Sequence, residues 1–282
     1  MLEIKNVVKS FSDNVILNDI SLSIEENEVV TLLGANGAGK TTLINCILKL
    51  YNVDSGKILF DGVNISDIKN SKYYSDVSVV LESSDNVYDY LSGMDNVKYF
   101  MGLSKIKYVD YKENLKHLLK LFELDKHMNK KVGNYSRGMR QKLAIIIALL
   151  SKPRLLILDE PTLGLDIKSK YNVLKILKEI IKSTKISILL TTHQTETIEM
   201  LDSKLLFLIN GKIKKYENIE SILTDDFEYE IKYFDECKNL KVEVFKNVSF
   251  EEIYKNFKNF EIISIHKKEK NIEQVIMEKL DE

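Results

Sequence analysis

The sequence predicts an α/β fold built around a mostly parallel sheet. Three observations carry that prediction. Short apolar runs at 29–33, 155–158 and 186–190 lack the polar alternation of a half-exposed strand, as strands covered on both faces do. Stretches that read as helical lie between them, notably one from near Ser136 through the very apolar run 143–150, and another over 167–181. The loop 34–42, GANGAGKTT, joins the first run to the helix-like stretch 43–50.

That loop fits the pattern G-x-x-x-x-G-K-[ST] at Gly34, Gly39, Lys40 and Thr41. The strand before it and the helix after it are the context the pattern needs, because backbone N–H groups at a helix N-terminus then point at an anion. Glycine lets the main chain curl round phosphates without a Cβ in the way. The whole loop is therefore a candidate phosphate cradle: Gly34, Ala35, Asn36, Gly37, Ala38, Gly39, Lys40, Thr41 and Thr42. Lys40 would reach the β- and γ-phosphates, and the Thr41 hydroxyl would bind Mg²⁺.

Bulk composition narrows the partners. The 282 residues carry a formal net charge of −1, so nothing at whole-chain level points to nucleic acid. Arg137, Arg140 and Arg154 are the only arginines, and lysine supplies the remaining positive charge. The two cysteines, Cys46 and Cys237, lie far apart, which fits a reducing compartment, and Cys46 reads as a small buried group. The N-terminus has no basic-then-apolar leader pattern. The longest apolar runs are far short of the roughly 20 residues that span a bilayer. Work at a membrane would need another polypeptide to do the spanning.

In chain order, residues 1–33 read as β structure, with Leu2 and Ile4, then Ile20, Leu22 and Ile24, alternating with polar neighbours. Phe11 lies in the loop between, either a purine-stacking aromatic or a core side chain. Asp61-Gly62 marks a hairpin turn between 57–60 and 63–65. A strand over 77–81 ends at Glu82. From 86 to 150 the pattern turns helical. Ser92 with Asp95 resembles a capping box, a helix runs over 109–122, and another starts near Ser136. The aromatics of this block read as core. Asp159-Glu160-Pro161 ends the run 155–158, and Thr191-Thr192-His193 ends the run 186–190. Residues 205–214 suggest a closing hairpin around Asn210-Gly211.

The composition shifts near Ser221. Alternation at 227–233 and 240–244 predicts two strands, Ser249 with Glu252 a short helix, 260–265 a third strand, and 272–280 a last helix. The domain reading is 1–220 for the main body and 221–282 for a small α+β appendage.

The segment Tyr135-Ser136-Arg137-Gly138-Met139-Arg140-Gln141, upstream of Asp159-Glu160, narrows the function. With the loop 34–42, Gly164-Leu165-Asp166 and His193 in this order, the first 220 residues or so resemble the ATP-binding subunit of an ABC transporter. The variants are similar to those of a bacterial subset that exports drugs, peptides or ions. The resemblance implies a P-loop NTPase cassette: a RecA-like core, an antiparallel β subdomain and a helical subdomain at about 86–150. It implies Phe11 against adenine, Asp159 on the hydration shell of Mg²⁺, Glu160 as acceptor of a proton from the attacking water, and His193 as sensor of the γ-phosphate. It also implies that Asp166, Ser136 and Gly138 serve nucleotide held across a head-to-tail interface with a second copy or a paralogous cassette. A transmembrane permease would be the other partner, with the chain on the cytoplasmic face of the membrane.

The signature and Glu82 depart from the family. The signature has Tyr135 and Arg137 where Leu and Gly are usual, and Met139-Arg140-Gln141 replaces a single Gln. Glu82 stands where Gln is usual, which keeps an oxygen ligand for the metal and adds a charge. A GTPase would need N-K-x-D, which is absent. A ribosome-acting relative would need two cassettes, and a DNA-acting one would need a long coiled coil between Lys40 and Asp159. His117, His127 and His266 have no motif around them.

Overall fold

A computed structural model describes residues 1–82, 86–192, 194–216, 227–235, 238–246, 248, 250–257 and 260–269. The chain divides into two compact units, Met1–Lys215 and Tyr216–Glu282.

In the first unit the alternating N-terminal residues form β1 (Leu2–Phe11) and β2 (Asn14–Ile24), an antiparallel pair. With β4 (Ser55–Phe60) and β5 (Val63–Asn64) they make a four-stranded sheet in the order β2-β1-β4-β5. Asp61 and Gly62 turn the β4–β5 hairpin with φ 51° and 78°. Both central residues of a type I′ turn need positive φ, which is why Asp-Gly suits it.

The second sheet holds β3 (Val29–Leu33), β6 (Val77–Val80), β7 (Leu155–Asp159), β8 (Ser187–Thr191), β9 (Lys204–Ile209) and β10 (Lys212–Tyr216) in the order β10-β9-β3-β8-β7-β6. Five neighbours, β9-β3-β8-β7-β6, run parallel. Every residue of β3, β7 and β8 is buried, which accounts for their unbroken apolar runs. Alternate side chains feed two cores. Leu156, Leu158, Ile188 and Leu190 join the core of α5 (Arg137–Leu150) and α6 (Ile167–Ser183). Leu155, Ile157, Leu189, Val30 and Leu32 join the core of α1 (Lys40–Ile47) and the antiparallel sheet. Each fully buried Leu or Ile contributes about 1.5–3 kcal/mol.

The helical block enters between β6 and β7, which pair directly in the sheet. Its helices are α3 (Gly93–Leu103), α4 (Tyr108–Leu121) and α5. Ser92 caps α3 by accepting the Asp95 N–H at 3.1 Å, and its hydroxyl donates to the Asp95 carboxylate at 2.6 Å in place of the backbone bond of a full capping box.

Some expectations need correction. Two short helices had no periodic signal: α2 (Asn70–Asp76) and α7 (Thr195–Leu201). In α2 only Tyr73 is buried, and its hydroxyl donates to the Ile47 carbonyl at 2.7 Å. The aromatics of the helical block are not uniformly core. Tyr111, Phe122 and Tyr135 are buried, but Tyr90, Tyr99 and Tyr108 are exposed.

The second unit contains β11 (Phe227–Phe234), β12 (Leu240–Lys246), α8 (Phe250–Phe257) and β13 (Glu261–Glu269), with the sheet order β12-β11-β13. Ile231, Tyr233, Ile253 and Phe257 form its core. The strand–strand–helix–strand order matches the pattern in the sequence. The last helix, the Ser249 cap and Cys237 lie outside the described residues.

Candidate nucleotide site

The loop 34–42 leaves the C-terminal end of β3 and enters α1. A Cβ on Gly34 would stand 2.9 Å from the Leu208 carbonyl oxygen, so the loop lies against β9. Gly39 has φ 105°, and a Cβ there would meet Ile16 and Leu17 of β2 at 3.1 Å. Gly37 has φ 83° with nothing within 4 Å of its Cβ position. The loop is thus fixed at both ends and open at its crest.

No side chain caps α1. Its first-turn amides have no intrahelical partners by geometry, and they carry the positive end of the helix dipole. Lys40 folds across the loop and donates to the Gly34 carbonyl at 2.6 Å and to that of Ala35 at 3.2 Å. An open crest, an uncapped helix start and a lysine over the loop fit a polyphosphate.

The C-terminal ends of β7 and β8 meet in register at Asp159 and Thr191. Asp159 is buried, and its carboxylate accepts the Thr191 hydroxyl. Glu160 is buried as well and has φ 47°. That left-handed conformation is uncommon for a residue with a side chain and is characteristic of positions held by their surroundings. Its N–H is gripped by the Thr191 carbonyl at 3.1 Å and by the Thr191 hydroxyl at 3.1 Å. Sequence reasoning overlooked Thr191, whose only signal was a hydroxyl at the polar end of an apolar strand.

Thr41, Asn45, Leu81, Glu82, Tyr135, Arg137, Arg140 and Asp159 line one cleft of about 800 Å³. Three elements distant in sequence thereby bring the expected metal ligands Thr41, Glu82 and Asp159 to one place. A hydroxyl and two carboxylates are the hard oxygen donors Mg²⁺ takes. Among the described residues no group of three His, Cys, Asp or Glu could hold a metal alone.

The signature forms the start of α5. Ser136 is its N-cap and accepts the Met139 N–H at 3.2 Å. Gly138 is buried, with Ser169 of α6 at 3.2 Å from its Cβ position, so the glycine permits the two helices to approach. Arg137 lies over Gly164, and Arg140 pairs with Asp89 at 3.2 Å. Asp166 caps α6 by accepting the Ser169 N–H at 3.0 Å. Hydrogen bonds from the Ser169 side chain and backbone hold the Asp166 carboxyl below its ordinary value. Thr42 belongs to the first turn of α1. His193 lies outside the described residues.

Phe11 is 41 % exposed at the tip of the β1–β2 hairpin, opposite Asn14, which rules out the core reading. Tyr51 meets it edge-on at 5.2 Å, and the Lys9 ammonium stands 5.2 Å from its ring centre.

The ABC transporter family model matches residues 17–163, more than half of the chain. The chain belongs to the ABC transporter family. It is 32% identical over 229 residues to the ABC transporter ATP-binding protein NatA of Bacillus subtilis (strain 168), covering 81% of this chain and 90% of NatA. It is 30% identical over 225 residues to the spermidine/putrescine import ATP-binding protein PotA of Clostridium novyi (strain NT), covering 80% of this chain and 64% of PotA. The chain therefore spans less than two thirds of that relative. Among solved structures, cbiO1 from Clostridium perfringens, described as part of the ABC transporter complex cbiONQ, has a TM-score of 0.72. It is 26% identical and is covered to 90%, against 79% of this chain. This ABC chain is an ATP-binding cassette, and its two sheets and helical block are the cassette fold. No helix among the described residues is long and apolar enough to cross a membrane.

Proposed function

We propose that this ABC cassette binds and hydrolyses Mg·ATP and delivers the resulting movement to a separate transmembrane permease. The observation that carries the reading is the cleft where Thr41, Glu82 and Asp159 meet beside an uncapped P-loop helix. The residues of 34–42 hold the phosphates, with Lys40 as anchor. Phe11 offers an exposed aromatic face for the adenine. Thr41, Glu82 and Asp159 hold Mg²⁺, which when bound supplies charge neutralisation between the phosphate oxygens. Glu160 accepts a proton from the attacking water, and His193 senses the γ-phosphate. Ser136, Gly138 and Asp166 serve nucleotide across the interface with a second copy or a paralogous cassette. The exposed start of α5 suits that task, because Ser136 stands at a helix N-terminus open to solvent.

The permease would dock beside the helical block. Support comes from a groove of about 300 Å³ lined in part by Tyr88, Phe100, Met101 and Ala144, with Tyr90 and Tyr99 exposed at its margin. The chain then sits at the cytoplasmic face through its partner, and no nucleic acid takes part. Export of an antibiotic, peptide or ion rests on Glu82 and the 135–141 variants alone. The similarity to PotA, an import protein, does not favour either direction.

The test is ATP turnover by the purified chain with and without Mg²⁺, set beside Lys40→Ala. Phosphate release that requires Mg²⁺ and falls at least about 10²-fold in the variant supports the reading. Equal turnover in the two proteins refutes it.

A further inference from the structure

The proposed metal ligand Asp159 and the proposed catalytic Glu160 have one neighbour in common that no motif marks. Thr191 ends β8, fully buried, directly opposite Asp159. Its hydroxyl is used in both directions: it donates to Asp159 Oδ1 and accepts the Glu160 N–H at 3.1 Å. The Thr191 carbonyl accepts the same N–H at 3.1 Å. Glu160 keeps its unusual φ of 47° between these bonds and Leu163, whose N–H donates to the Glu160 carbonyl at 3.1 Å. A further set of buried hydroxyls follows, with Thr162 donating to Gln194 at 3.0 Å and lying 3.3 Å from Thr197 on α7.

We infer that Thr191 is a positioning residue that fixes both acids at once. It occupies one oxygen of Asp159, so that the carboxylate presents its other oxygen, Oδ2, to the cleft in a single orientation. It also holds the backbone of Glu160 in the conformation that sets the direction of the carboxylate. Apolar strand ends do not require a hydroxyl here, since the rest of β8 packs through Ile188, Leu189 and Leu190. Valine has the same shape as threonine and would fill the space, but it has no donor for Asp159. Its backbone carbonyl would still take the Glu160 N–H, so the buried amide keeps a partner and the fold survives. Serine keeps both bonds.

The inference rests on the reading of this cleft as a Mg·ATP site, and the test separates the two. Mn²⁺ affinity is measured by electron paramagnetic resonance at saturating ADP, alongside the Mg²⁺ dependence of ATP turnover, in wild type, Thr191→Val and Thr191→Ser. Partners that orient a metal ligand are worth roughly 10- to 100-fold in metal affinity. Thr191→Val is expected to weaken Mn²⁺ about tenfold and to raise the Mg²⁺ needed for half-maximal turnover, in a chain that still unfolds cooperatively. Thr191→Ser is expected to match wild type in both. Wild-type Mn²⁺ affinity and Mg²⁺ dependence in Thr191→Val overturn the positioning role and leave the Mg·ATP reading standing. A wild-type chain that neither binds Mn²⁺ with ADP nor hydrolyses ATP overturns the reading, and the positioning role falls with it.

Discussion

At the scale of single residues, backbone conformation sorts the glycines of the P-loop. Gly39 combines φ 105° with close neighbours in β2, whereas Gly37 at φ 83° faces open space. Gly39→Ala is expected to lower stability by about 1–3 kcal/mol, from strain and from pressing Ile16 and Leu17 outward. Gly37→Ala meets no neighbour and carries only the left-handed cost of about 1–2 kcal/mol. Urea unfolding of the two variants decides this, and equal losses would remove the steric part of the argument. Cys46 gives a second residue-level test. Burial pushes its thiol up to about 11, so almost no thiolate exists near neutral pH. Iodoacetamide at pH 7.5 should leave Cys46 unmodified in the native chain and modify it in urea, as read by peptide mass mapping. The P-loop was legible because its residue types are dictated by phosphate geometry. Thr191 was not, because its role depends on which strand lies opposite, and a strand's neighbours are not written in its own residues.

At the scale of elements, caps and staples hold the site in place. Ser136→Ala removes the α5 cap and should lower stability by about 1 kcal/mol, while Ser136→Thr should not. A second device joins the sheets. Arg154 donates to Asp61 at 2.5 Å and to Glu26 at 2.8 Å, and its own N–H donates to the Asp76 carbonyl. The Arg154 guanidinium holds the Asp61 carboxyl below its ordinary value. A carboxyl depressed in the folded state adds stability above its unfolded value, about 3.9. That contribution is lost as pH falls through the folded value. Both side chains are partly solvated, so the contribution is about 0.5 kcal/mol. Asp61→Asn should therefore be less stable than wild type at pH 7, with the gap closing as pH falls below about 4. Denaturant midpoints across pH check it, and a gap that widens in acid contradicts it. Periodicity revealed α4 and α6 because each buries one face, the Ser92 cap signal marked α3, and the unbroken apolar run 143–150 marked α5, which is buried all round there. Periodicity missed α2 and α7, which are seven residues each and too short to show a stripe.

At the scale of the whole molecule, the chain is a cassette of the ABC family followed by a small unit with its own core at Ile231, Tyr233, Ile253 and Phe257. The sheet order could not be read from the chain: apolar runs announce buried strands, but only the assembled sheet shows β8 lying between β3 and β7. The central proposal is that each ATP is shared with a second cassette, and it is testable for a second copy of this chain. Its most direct measurement is the mass of Glu160→Gln in solution, by sedimentation, with ATP, with ADP and without nucleotide. Glu160→Gln keeps the shape of the side chain but removes its capacity to take a proton. Very slow hydrolysis is expected, together with a stable dimer that forms with ATP and not with ADP. Wild-type turnover, or a monomer that retains bound ATP, would contradict this.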